Sequence, residues 1–386
     1  MSELLNGRWA ETKEALLEGL QGTKKSVMGV TLENTKKYLQ ESATAGATSA
    51  GNVATLNRVI LPVIRRVMPT VIANELVGVQ PMTGPVGQIH TLRVRYSDTS
   101  SNAGVTAGEE ALSPFKIAEG YSADSTGRAV STASLEGQAG KRMSIQILKQ
   151  TVEAKTRKLS ARWTFEAAQD AQAQQGIDIE AEVMAALAQE ITAEIDQEIL
   201  ASLLSLAGSA VETFDQNAVS GTATFVGDEH AALAVQINRV SNLIAQRTRR
   251  GAGNWAVVSP YALTILQSAT TSAFARTTEG TFEAPTNTKL VGTLNSAMKV
   301  YVNTYATDTT DILIGYKGSS ESDAAAFYCP YIPLMSSGVV LDPSTFEPVV
   351  SFMTRYGYVE LTNTASSLGN AADYLGRIAI SNVSFK

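Results

Sequence analysis

One cysteine and two histidines are all that this 386-residue chain offers to thiol, imidazole or soft-metal chemistry. Cys329 has no second cysteine to join, so no internal disulfide forms and cytoplasmic production is the simplest expectation. Between Tyr328 and Pro330 it reads as a small buried residue. Nucleophilic catalysis needs an activated group beside an orienting base. With only His90 and His230 available, Cys–His and Ser–His pairs have few ways to exist. The two histidines lie far apart with no cysteine near either, which is not metal-ligand spacing, and each reads as a structural or cap residue. Neither a G-x-S-x-G elbow nor a Walker or G-x-G-x-x-G pattern occurs. No enzyme, cofactor or metal is expected.

Other shortages narrow the class further. Aromatics make up only 6% of the chain, which favours extended, thinly packed surfaces over one aromatic-rich core. The formal net charge of −6 lacks the concentrated positive face that a protein needs when nucleic-acid phosphate is its main affinity. No stretch approaches the ~20 apolar residues of a membrane helix. The most apolar run, "VILPVI" at 59–64, is bracketed by Arg58, Arg65 and Arg66. Near the N-terminus Glu18 and Gly19 interrupt Leu16, Leu17 and Leu20, so a signal peptide is not expected either.

What is present sorts into segments. Residues 1–41 read as short amphipathic helices with Leu5, Trp9, Leu16 and Leu20 near one face, broken by Gly19, Gly22 and Gly29. Small residues over 42–54 form a linker, and Pro62, Pro69, Pro81 and Pro85 stop any continuous helix in the arm that follows. "GQIHTLRVRY" (87–96) reads as a strand. Residues 97–142 hold few large apolar groups and are expected not to bury themselves; 143–165 returns to strand-like alternation. Ile179, Val183, Leu187, Ile191, Ile195, Ile199 and Leu203 recur every fourth residue. That pattern predicts a spine helix over 177–206, about 45 Å long at 1.5 Å per residue. A second module over 223–345 alternates helices and strands, and 346–386 is expected to return to the sheet of the first module. The fold class is α+β.

Two charge patterns stand out. The spine carries Asp178, Glu180, Glu182, Glu190, Glu194, Asp196 and Glu198 with no Lys or Arg among them. The strand before it carries Lys149, Lys155, Arg157, Lys158 and Arg162. Two readings stand: complementary edges between neighbouring subunits, through residues such as Glu190 and Glu194, or pairing within one chain. "RTRRGAGNW" (247–255) also divides. Arg247, Arg249 and Arg250 with Gly251 and Gly253 could cradle a phosphate, cap the preceding helix, or reach a carboxylate on another subunit.

Five long stretches then carry a resemblance. "VIRRVMPTVIANELVGVQPMTGPVGQ", "KQTVEAKTRKLSARWTFEAAQDAQAQQGIDIEAEV", "RTRRGAGNWAVVS", "IGYKGSSESDAAAFYCPYIPL" and "DPSTFEPVVSFMTRYGY" resemble the major capsid proteins of T-even-type tailed bacteriophages, in that family's order. The resemblance implies a Hong Kong 97-type capsid fold. Its parts would be an N-terminal head (1–41), an N-arm (42–86), an E-loop (87–145), a P-domain with the spine helix (146–222), an A-domain (223–345) and a return to the P-domain (346–386). The T-even protein carries an additional inserted domain for which this chain has no room. The implied function is a shell subunit that self-assembles into hexameric, and in some shells pentameric, capsomers around packaged double-stranded DNA bound without sequence specificity. The implied partners are copies of itself, scaffold, head protease, portal and vertex or decoration proteins, with no membrane. The virion capsid is the implied location, after assembly in the host cytoplasm.

That family's head protease cuts after glutamate in a short motif that Leu39-Gln40-Glu41-Ser42 fits. Ile117-Ala118-Glu119-Gly120 fits too, but a cut there would destroy the E-loop. The other reading of 1–41 is an uncut inner arm. Some relatives of the fold cross-link Lys to Asn between subunits; Lys116 and Lys141 would be the donors, but no acceptor is evident and the bond is not predicted. The reading from another class is a soluble phosphate- or nucleotide-binding enzyme using the 247–254 turn.

Overall fold

The computed structural model describes residues 9, 13–14, 16–18, 20–44, 71–101, 103–109, 111, 120–122, 128–137, 140–176, 178–216, 226–248, 250–269, 274–276, 289–307, 311–319, 323–345, 347–361 and 371–382. It divides into two compact units: Met1–Gly87 with Val152–Ala201 and Phe327–Val359, and Gln88–Thr151 with Ser202–Ala326 and Glu360–Lys386.

The first unit holds a five-stranded sheet made from β1 (Gly78–Val79), β4 (Lys155–Arg162), β11 (Ala326–Ser336), β12 (Val340–Leu341) and β13 (Pro348–Glu360). The order is β1-β11-β13-β12, with β4 antiparallel to β13 from Val349↔Arg162 to Tyr356↔Lys155. Along β13 the buried Val350, Phe352, Thr354 and Tyr356 alternate with half-buried Ser351, Met353 and Arg355. That is the period of two expected when one sheet face is covered. β11 is buried through nearly its whole length, which suits a strand with neighbours on both edges. The sequence places it in the second module; in the structure it lies between β1 and β13.

The spine helix runs from Ile179 to Ala207, within two residues of expectation at each end. Its start is capped by Asp178, whose Oδ1 accepts from Glu180 N at 3.1 Å. It ends at Gly208, whose φ of +71° suits the left-handed region. Leu187, Ile191, Ile195, Ile199 and Leu203 are buried as their spacing predicts. On the same helix Asp196 is also buried, and its Oδ1 accepts from Ile72 N at 2.9 Å. Ile72 leads into the one-turn helix Ala73–Leu76, where an unpartnered N–H would otherwise be left inside.

Residues before 45 depart from expectation. An unbroken helix, Gly22–Thr44, passes through Gly29 and continues beyond Glu41 and Ser42. Glycine in a helix costs about 1 kcal/mol. Tertiary packing offsets that cost, because Val27, Met28, Thr31, Leu32, Asn34 and Thr35 are all buried. The linker over 45–54 lies outside the described residues.

The second unit is built on a seven-stranded mixed sheet, β5-β14-β10-β6-β9-β8-β7. Its strands are β5 (Glu212–Asp215), β6 (Trp255–Val258), β7 (Phe274–Arg276), β8 (Lys289–Leu294), β9 (Met298–Val302), β10 (Ile312–Gly315) and β14 (Leu375–Ser381). Helices Val226–Thr248 and Pro260–Ser268 supply Leu233, Ile237, Val240, Ile244 and Ile265 to a core shared with Val258, Val300, Ile312, Ile314 and Ile378. The expected return of 346–386 to the first sheet holds for β13 and fails for β14. β14 lies antiparallel to β10 and parallel to β5. Burial decides this: β10 is buried at all four positions, and Leu375 and Ile378 complete the packing beside it.

β2 (Val86–Tyr96) and β3 (Met143–Glu153) pair as a two-stranded ribbon. Between them the chain buries more than its composition suggested. Tyr96, Ala103, Val105, Ala111 and Tyr121 form a small cluster, with the two tyrosine rings 4.5 Å apart. Asp98 closes its base by accepting from Arg142 N at 2.8 Å and from the Arg142 guanidinium at 3.2 Å. The Tyr121 hydroxyl donates to Arg142 O at 2.6 Å.

Burial pushes the Asp196 carboxyl up to about 7, against the opposing pull of the Ile72 N–H. An unfolded aspartate titrates near 3.9. Between roughly pH 4 and 7 the folded chain therefore keeps a proton that the unfolded chain has released, and stability falls as pH rises through that window. Urea midpoints should drop between pH 5 and pH 8 by the equivalent of up to about 3 kcal/mol, and Asp196→Asn should flatten the profile.

Candidate assembly surfaces

Arg157 is where the opposed charges of strand and spine meet. The alternation of β4 turns Arg157, Leu159 and Ala161 to its half-buried side and leaves Lys158, Ser160 and Arg162 exposed. Arg157 donates to Glu194 at 2.7 Å, to Glu198 at 2.5 Å and to the Tyr356 hydroxyl at 2.6 Å. Tyr356 in turn donates to the same Glu198 oxygen. Burial works against the guanidinium charge, but Glu198 and Tyr356 outweigh it and raise the Arg157 pKa. Burial likewise works against the Glu198 carboxylate, and Tyr356 and Arg157 more than offset it, so that pKa is lowered. Glu194 thus has a partner within its own chain, whereas Glu190 is exposed.

The 247–254 turn is likewise occupied from within. Arg250 pairs with Asp323 at 2.5 Å, and Tyr374 donates to the same carboxylate oxygen at 3.2 Å. Burial opposes the Arg250 charge, and Tyr374 and Asp323 outweigh it. The amides that would cradle an anion are already used: Gly253 N donates to Ser241 O at 3.3 Å and Asn254 N to Gly315 O at 2.9 Å. Asn254 also exchanges side-chain hydrogen bonds with the Lys317 backbone in both directions. Gly251 answers a packing need, since a Cβ there would fall 2.5 Å from the Tyr316 ring. Arg247 is half-buried near the helix end; Arg249 lies outside the described residues. The turn is a helix stop that leads into β6.

The remaining candidates scatter. Lys116 lies outside the described residues, and Lys141 Nζ donates to Thr99 O at 3.3 Å. Glu41 and Ser42 fall in the last turn of helix Gly22–Thr44. His230 is buried with Nδ1 2.6 Å from Ser268 Oγ, and burial lowers its pKa, which makes it a packing residue. Cys329 is buried and its thiol is pushed up to about 12 by that burial. Among the described residues no group of His, Cys, Asp and Glu could hold a metal, and no helix is long and apolar enough to cross a membrane.

The least satisfied surface was not singled out in the sequence. On β3, Met143, Ile145 and Ile147 are 50%, 67% and 62% exposed along one face. The alternation in "MSIQI" signalled a strand; nothing in it said that the apolar side would lack a cover. Leu135 and Val86 are exposed as well, and in the first unit so are Val340 and Leu341 of β12. The sheet of that unit also bears a groove of about 460 Å³ lined by residues including Lys158, Met335, Ser337, Ser351 and Met353.

A molecule with self-satisfied charges and an uncovered apolar ribbon suits burial against other protein better than chemistry on a small ligand. Comparison with known families decides the matter, because residues 53–380 match the model of the major capsid protein Gp23. The chain belongs to that family. Its function is the family's, self-assembly into the shell of the phage head, and the family is one of structural proteins. The phosphate-binding enzyme finds no support. The major capsid protein of Vibrio phage KVP40 is 29% identical, covering 85% of this chain and 81% of its own. That of Enterobacteria phage T4 is 28% identical, covering 83% and 78%, and that of Salmonella phage ViI 30%, covering 83% and 80%. The KVP40 alignment spans 426 residues, longer than this Gp23-family chain of 386, so the relative carries segments without counterpart here. Among solved structures, chains titled Mycobacterium phage Adephagia and Microbacterium phage Oxtober96 align at TM-scores of 0.49 and 0.48 with 12% identity. They cover 81% and 80% of this chain and 91% and 90% of their own.

Gly251→Ala should cost about 1–3 kcal/mol by forcing Tyr316 aside, read from the urea midpoint. Millimolar inorganic phosphate should leave the melting temperature of the wild-type chain unchanged.

Proposed function

We propose that this major capsid protein builds the head from hexameric capsomers, with the β2–β3 ribbon covering itself against a neighbouring copy. The observation that carries this reading is the exposed row Met143, Ile145 and Ile147. A two-stranded ribbon is marginal alone in water. Each such side chain gains roughly 1.5–3 kcal/mol on full burial. In the terms of a Hong Kong 97-type fold, 87–145 acts as the E-loop and 42–86 as the N-arm. Val152–Ala201 with Phe327–Val359 serves as the P-domain, and Ser202–Ala326 with Glu360–Lys386 as the A-domain. The sheet memberships of β11 and β14 favour these limits over a single insertion at 223–345. Glu190, Arg247, Arg249 and Lys116 stay as candidates for contacts between copies.

Further partners follow from the same reading: a scaffold, a head protease, a portal, vertex or decoration proteins, and packaged double-stranded DNA held without sequence specificity. The protease would act between Glu41 and Ser42. That bond lies in a last helical turn which has no basic residue to favour the helix C-terminus, so local fraying presents it.

Two measurements test this. Ile145→Glu together with Ile147→Glu should reduce assembled particles at least tenfold by sedimentation while leaving the circular dichroism of the unassembled chain unchanged; normal particle yield would sink the ribbon contact. Intact mass on native particles should show a chain that begins at Ser42. A full-length chain would keep the shell and remove the processing step.

A further inference from the structure

The helix before the processing site is built into the first unit. Its face at Val27, Met28, Thr31, Leu32 and Thr35 is buried, and Asn34 beside it is buried too. The Asn34 amide donates to two carbonyls from distant parts of the chain, Met82 O at 2.6 Å and Tyr331 O at 3.1 Å. One turn into the helix, Lys24 pairs with Glu75 at 2.7 Å. Residues further toward the N-terminus brace the same helix. Lys13 pairs with Glu33 at 3.0 Å, the Lys36 ammonium lies 5.7 Å from the Trp9 ring centre, and Leu17 packs beside Gly29. Every one of these contacts is made at or before Lys36. A cut at Glu41 removes a covalent connection and leaves them all in place.

We infer that the head is a latch held in cis. Severing Glu41–Ser42 leaves residues 1–41 bound, and their departure is a second, separately controlled step that opens the segment around Glu75–Met82 and the β11 carbonyl of Tyr331. This rests on the reading of Glu41–Ser42 as a processing site. Its physical basis is independent of which protease cuts. A buried amide that bridges two backbone acceptors strands both when it leaves, so its departure costs more than the loss of one exposed hydrogen bond. The buried face adds a non-directional hold that no single side chain controls.

The test uses the full chain with a site-specific protease sequence inserted after Thr44. The purified protein is cut and followed over time by size exclusion and intact mass. The head of the otherwise wild-type chain should co-elute with the remainder. Asn34→Ala should speed its release about tenfold or more. Lys24→Glu should speed release by up to a few-fold, and pairing it with Glu75→Lys should restore retention. Immediate separation of the wild-type head, or release at one rate from all variants, overturns the latch. Should Asn34→Ala fail to fold, the Lys24/Glu75 charge swap carries the test. A native particle chain that begins at Met1 would refute processing while leaving the retention result to stand by itself.

Discussion

The carbonyls of β11 hold the first unit together. A strand buried on both faces must place every backbone polar group with a partner, and here successive acceptors are taken by different parts of the chain. Tyr328 O receives Gln80 N, Pro330 O receives Met82 N, Tyr331 O receives the Asn34 amide, and Ile332 O receives the Thr354 hydroxyl. Pro330 and Pro333 lack an N–H, so the strand asks for fewer acceptors in return. Three segments separated widely in sequence converge on one strand, and the head helix is among them.

That convergence explains what the sequence could and could not reveal. Long periodic elements were legible. The spine falls within two residues of where its spacing puts it, and the second module alternates helices and strands as its pattern suggested. Partner choice was not legible. Nothing in "AFYCPYIPLMS" says that β11 leaves the module it follows, nor does "LGRIAIS" say that β14 joins β10 instead of β13. Both are apolar strands, and long-range pairing is settled by which core has room. Propensity misled at Gly29, where burial of the helix face at Val27, Met28, Thr31 and Leu32 outweighs the helix-breaking tendency. It misled again at 97–142, where Tyr96 and Tyr121 suffice for a local core.

Charge posed a different limit. The basic β4 and the acidic spine were evident, but complementarity in sequence is silent on whether a pair closes inside one chain or between two. Arg157 closes inside, joining β4, the spine and β13 through three hydrogen bonds. In the same way Asp323 and Tyr374 occupy Arg250. With those groups spent internally, the apolar side of β3 stays exposed among the described residues, and on the proposed reading apolar contact is what shell formation uses there.

The single cysteine has a consequence for the particle as a whole. Cys329 sits inside β11 with its thiol buried and held protonated, and the thiolate is the form that oxidants and disulfides attack. A shell made of many copies of this chain therefore presents no thiol of this protein at its surface or its seams. When such a particle passes from reducing to oxidising surroundings, no disulfide forms or breaks between its copies of this chain.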